Sequence, residues 1–203
     1  MKPGVRALGI AESHAGDADR SVLAGAVVRA DRVVDGLAFG TCTVGGLDAT
    51  AATLDLAAAL DRADVRHVLT AGVAPAWFNL LDLDRVHERL DRPVVAVSFE
   101  ASEGLEPALR EQFDGAALEA RLDRYRALPP RRPVTVGDDR VFVRAAGLSD
   151  EHAAAVVRAH TPEGEGRPEP LRVARLSARA VRERDLAEGN DGRAPDDGEG
   201  DDR

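Results

Sequence analysis

The chain has 203 residues, 44% of them hydrophobic, enough for one buried core, and no apolar run of membrane or secretory length; this argues for a soluble, cytoplasmic protein with no membrane partner. The net charge is −9, Lys2 is the sole lysine, and arginine supplies every other fixed positive side chain, a balance that points to a GC-rich genome, to a surface kept soluble at very high salt, or to both, with the halophilic reading favoured. Such a surface disfavours general polyanion binding and leaves local arginine clusters as the diagnostic feature, while a lone cysteine, Cys42, excludes an internal disulfide and a zinc ribbon.

Residues 5–11, VRALGIA, form a short apolar run that predicts a buried strand, ending at the polar loop that carries Glu12, Ser13, His14 and Asp17. Residues 21–30 and 33–44 predict two more strands with a tight turn between them, and Gly36 and Gly40 invite bulges in the third. Three strands with short connections make an antiparallel meander. After Gly45-Gly46, residues 48–62 have a helical apolar stripe with Asp48 where an N-cap belongs.

A strand over 67–70 runs into LTAGVAPAWFNLLD, residues 69–82, which holds the only tryptophan and sets Asn79 and Asp82 beside Trp77 and Phe78. A helix over 80–90 follows, and then PVVAVSF, residues 93–99, whose unbroken apolar character predicts a parallel strand covered on both faces. Residues 106–126 are helical with a break near Gly115, 134–136 and 141–144 read as a hairpin, 149–159 as a helix capped by Ser149, and 171–184 as a last helix. The division is one domain over 1–186 and a disordered acidic tail over 187–203. Five histidines, His14, His67, His87, His152 and His160, are scattered and carry no assigned role.

A meander followed by βα units is the element order of the ribonuclease H-like α/β fold, a mixed sheet with helices on both faces and its first strand next to the fourth. That topology brings the loop after strand one, with Glu12 and Asp17, beside Ala71, Gly72, Asn79 and Asp82.

The runs ALGIAES, VGGLDAT, LTAGVAPAWFNLLDL and RPEPLRVARLSA resemble an archaeal family first described as domain of unknown function 99 and later as endonuclease dU, in its haloarchaeal branch. The resemblance spans about residues 4–180 and implies an endonuclease V-like fold with metal-dependent cleavage of DNA at deaminated bases such as deoxyuridine. Hydrolysing a phosphodiester calls for a divalent ion, often a pair roughly 4 Å apart, held by clustered carboxylates. The expected ligands for Mg2+ or Mn2+ are Glu12, Asp48 and Asp82, with Asp17 as a further acid, Asn79 orienting substrate or water, and Trp77 or Phe78 stacking on a base. Arg172 and Arg175, in a row with Arg179 and Arg182, are the expected phosphate contacts, with Arg131-Arg132 as a second cluster.

Family members carry an acid pair just after strand one, where this chain has Ala11 before Glu12, and endonuclease V-like sites end strand four on an acid, where this chain has Thr70-Ala71-Gly72. The alternative reading is therefore a nucleic-acid-binding or regulatory protein that keeps the fold without turnover; a third is a small-molecule hydrolase or interaction protein using the same cleft. The residues also have plainer readings. Asp48 suits a helix cap, Asn79 with Asp82 resembles a capping box, Trp77 and Phe78 suit a core, and the arginine row suits pairing with surface acids. Oligomeric state is left open by the sequence.

Overall fold

The computed structural model describes residues 1–191. The elements run β1 (Arg6–Ser13), β2 (Arg20–Arg29), β3 (Val34–Thr43), α1 (Ala49–Leu60), β4 (Val65–Ala71), a single turn α2 (Pro75–Phe78), α3 (Leu83–Leu90) and β5 (Val94–Ser98). They continue with α4 (Glu106–Gln112), α5 (Gly115–Ala127), β6 (Arg132–Val136), β7 (Asp139–Ala146), α6 (Asp150–His160) and α7 (Glu169–Asp191). The expected tail thus begins inside α7, and 192–203 lie outside the described residues.

Seven strands form one mixed sheet in the order β3-β2-β1-β4-β5-β7-β6. The meander pairs antiparallel, β1 lies parallel to β4 and β4 parallel to β5, as the ribonuclease H-like order requires. The β6–β7 hairpin is not a separate appendage; β7 adds to β5 antiparallel and extends the sheet. Strand β3 has one irregularity, where the register shifts opposite Val27 and Val28 beside Gly36, while Gly40 pairs regularly with Leu23.

Strand alternation sends Leu8 and Ile10 to a core shared with Leu56 of α1 and Val86 of α3, and Ala7 to the opposite core with Val157 of α6 and Leu171 of α7. Each such fully buried aliphatic side chain contributes about 1.5–3 kcal/mol, so covering both faces is what holds the sheet. The start of α7 lies directly on β1: a Cβ added at Gly9 would sit 2.2 Å from the Pro170 backbone, so only glycine permits that approach. Among the described residues no helix is long and apolar enough to cross a membrane.

Candidate functional site

Strand β1 extends through Glu12, so this acid stands in the sheet, paired with Leu23, and not in the loop. It falls on the Leu8 and Ile10 face and lines a narrow crevice with Thr53, Thr70 and Leu81. The buried Ser21 hydroxyl donates to Glu12 Oε2, and His14 Nδ1 lies 3.3 Å from the same oxygen. Asp17 is exposed in the β1–β2 turn. Ala11 points the other way, into a cluster with Ala26, Val28 and Ala174, while Thr70, level with Ile10 across the parallel pair, spends its hydroxyl on the Gly72 carbonyl at 2.8 Å.

Asp48 occupies the position before α1 but makes no side-chain cap there. Its carboxylate accepts from the Thr43 amide at 3.1 Å, the Thr43 hydroxyl at 2.8 Å and the Asn79 side-chain amide. Burial raises the Asp48 pKa, but the hydrogen bonds from Asn79 and Thr43 outweigh it and hold the carboxyl below its usual value. Fully buried Asn79 is the clamp: its Oδ1 accepts from Ala49 N at 2.8 Å, satisfying the first amide of α1, while its Nδ2 also donates to the Thr43 carbonyl at 2.8 Å. The local capping box expected of Asn79 and Asp82 is therefore split, with Asn79 serving α1 and Asp82 alone capping α3 by accepting from Arg85 N at 2.9 Å.

The three expected metal ligands consequently face three different places. Glu12 lines its crevice, Asp48 a groove with Arg20 and Asp55, and Asp82 a hollow with Asp84 and Asp123. Among the described residues, no group of three or more His, Cys, Asp or Glu is placed together, so Glu12, Asp48 and Asp82 do not form one shared ligand set.

The segment PAWF folds as a left-handed turn, with Ala76, Trp77 and Phe78 at φ of 48, 54 and 61°. Each such residue costs roughly 1–2 kcal/mol, which the surroundings offset. The Ala76 carbonyl accepts from Gly45 N at 2.7 Å, and Gly45, itself at φ 67°, lies under the indole, where a Cβ would come within 2.8 Å of the ring. Phe78 packs into a core with Leu80, Leu109 and Phe113, so it stacks on protein. Trp77 stays 46% exposed, its ring 5.2 Å from that of Phe113.

The expected arginine row divides. Arg172 forms a two-pronged pair with Glu169 at 2.6 and 2.7 Å, and Arg179 pairs with Glu183. Arg175 instead lines a cavity of about 430 Å3 at the carboxyl ends of β4 and β5, together with Arg131, Arg144, Arg167, Phe99, Tyr125 and Glu100. Ala71 and Gly72 line both this cavity and the Glu12 crevice, so the two share a wall. Sequence reasoning missed Arg144 and Arg167 altogether. Arg144 projects from an ordinary strand pattern and Arg167 from a loop, and the one available signal was the PEPLR run that sets α7 on β1.

Burial first, and then neighbouring Arg144, lowers the pKa of Arg131; burial and then Arg175 lower that of Arg167. Arg131 stacks 3.8 Å from the centre of the Phe142 ring and Arg167 3.9 Å from that of Phe99. Among the described residues none of the four cavity arginines is ion-paired to a carboxylate, and Arg167 and Arg175 have no hydrogen-bond partner either.

A family model described as endonuclease dU matches residues 3–182. A UPF0215 protein of Pyrobaculum calidifontis is 34% identical over 178 residues, 87% of this chain and 96% of that protein. Among solved structures, a protein of unknown function from Archaeoglobus fulgidus aligns with a TM-score of 0.73 at 25% identity, over 87% of this chain and 98% of that one. Endonuclease V (D234N) of Ciona intestinalis, in complex with a 23mer DNA containing an inosine followed by a ribo-adenosine, shares the fold at a TM-score of 0.62 and 13% identity, over 88% of this chain and 86% of that one.

Proposed function

The chain belongs to the endonuclease dU family, and from that membership we propose that it is an endonuclease acting on DNA, with strands carrying deaminated bases such as deoxyuridine as its substrate class. The observation that carries the reading is the placement of Glu12: a carboxylate at the end of β1, an interior strand of a ribonuclease H-like sheet, one wall away from a cavity lined by four arginines that form no ion pair with a carboxylate among the described residues. Cleavage requires a proton to leave the attacking water and negative charge on the phosphoryl oxygens to be stabilised. Glu12, fixed by Ser21 and touched by His14, is the group to take that proton, and the arginines are the groups to meet the charge. A divalent ion, when bound, lowers the pKa of such a water.

A second reading, DNA binding without cutting, is favoured by Ala11 and Thr70-Ala71, which leave Glu12, among the described residues, the only carboxylate lining the crevice. Purified protein incubated with uracil- and hypoxanthine-containing oligonucleotides, with and without Mg2+, separates the two. Cleavage lost in Glu12→Gln supports the endonuclease; selective binding without cleavage supports the second reading; neither binding nor cleavage overturns both.

A further inference from the structure

Two guanidinium groups that neither pair with acids nor donate to carbonyls, set close enough for Arg175 to depress the pKa of Arg167, are a costly arrangement in a protein with nine surplus negative charges. Their mutual repulsion is relieved by an anion between them. The remaining two cavity arginines are held in place: Arg144 donates to Tyr125 Oη at 3.1 Å and to the Pro129 carbonyl, and Arg131 to the Ser102 carbonyl at 2.8 Å. With Glu100 as the one acidic lining residue, the cavity carries four positive side chains against one negative. A phosphodiester in a strand brings a single negative charge, whereas a phosphate monoester brings about −1.5 to −2 and three acceptor oxygens. The rings point the same way. The Arg167 guanidinium carbon lies 3.9 Å from the centre of the Phe99 ring, which sets a group that can meet phosphate oxygens beside an aromatic ring, and bases stack on both kinds of group.

We propose that this cavity is a binding site for a nucleotide bearing a terminal phosphate monoester, with Arg167 and Arg175 on the phosphate and the Arg167–Phe99 stack beneath the base. The site is distinct in charge from one built to follow a continuous backbone, and its volume of about 430 Å3 suits a single nucleotide. The proposal deepens the DNA reading by naming what end or product the protein holds, and it stands whether or not the strand is cut. Two sources share this chemistry, a free mononucleotide and a phosphorylated strand end.

Isothermal titration of the full chain with dUMP, with deoxyuridine, and with a short single strand carrying either a 5′-phosphate or a 5′-hydroxyl distinguishes them. The expected result is binding of dUMP or of the phosphorylated strand, with the ligand lacking the phosphate weaker by about tenfold or more. Arg167→Gln and Arg175→Gln should each abolish that preference, while Arg179→Gln, on the same helix outside the cavity, should keep it. Preference for the phosphorylated strand alone assigns the site to strand ends; binding of dUMP with no strand preference assigns it to free nucleotides. Equal affinity for phosphorylated and unphosphorylated forms in both pairs, or an unchanged preference in both cavity variants, overturns the proposal. Cleavage of uracil-containing DNA, measured separately, reports on the function above independently of this outcome.

Discussion

Asn79 reaches two elements at once, and its environment explains both what the sequence disclosed and what it hid. An amide and a carboxylate three residues apart before an apolar run mark a helix start, and Asp82 does cap α3. Nothing local reveals that Asn79 turns away to serve α1, thirty residues earlier, because an amide that caps in trans has the same letter and spacing as one that caps its own helix. Replacing Asn79 with Ala would leave the Ala49 amide and the Thr43 carbonyl without that partner and remove a donor from Asp48. The expected cost is about 2–3 kcal/mol in urea unfolding; a change under about 0.5 kcal/mol, the size of an ordinary surface substitution, would show the clamp to be dispensable. The same variant probes Asp48 as a structural acid, since its carboxyl would then titrate closer to its ordinary value.

Among the elements, α7 shows where periodicity stops informing. Spacing of three and four residues correctly puts Arg172, Arg175, Arg179 and Arg182 on one side of a helix, yet their partners differ: Glu169, the cavity, Glu183 and the His14 carbonyl. A helix face sweeps past several neighbours, and only the packing angle decides which residue meets which. That angle is set at the Gly9–Pro170 contact. Gly9→Ala would force α7 off β1 and is expected to destabilise the protein by about 1–3 kcal/mol, as overpacked cores do. It should also loosen Arg167 and Arg175, so nucleotide binding and thermal midpoint should fall together. A variant with wild-type stability would show that α7 docks elsewhere.

The sheet was legible in its first five strands, because short apolar runs bounded by turn and loop residues mark the meander and the βα units. The partner of the β6–β7 hairpin was not, since the pattern of a hairpin is satisfied equally well alone or at the edge of a sheet, and β7 meets β5 across some forty residues. The cavity arginines come from four separate segments, Arg131 and Arg144 brought by the hairpin and Arg167 and Arg175 by the docking of α7, so the sequence showed Arg175 and Arg131 only as members of charged rows and not as one site.

The global stability also has a built-in acid limit. His160, at the end of α6, is 2% exposed, its ring 6.4 Å from that of His67, and neither of its ring nitrogens has a hydrogen-bond partner among the described residues. Burial, and then His67, lower its pKa from 6.5 to about 4. The unfolded chain therefore takes up a proton that the folded one refuses in this window. The contribution of this neutral His160 to stability is fully present above pH 6.5 and is lost as pH falls toward about 4, by about 3 kcal/mol in all. His160→Leu should flatten the decline relative to wild type; parallel curves for the two proteins over that range would remove His160 as its source.

The contact between Gly9 and Pro170 also has a meaning in time. Strands β1 and β2 are covered by α7, which begins about 140 residues after the end of β2, a delay on the order of ten seconds of synthesis. Until then the alanine-rich face formed by Ala11, Ala24, Ala26 and Val28 has no lid. Small side chains on that face let α7 settle closely, and they also leave the nascent meander less adhesive than a leucine-rich face would be while it waits.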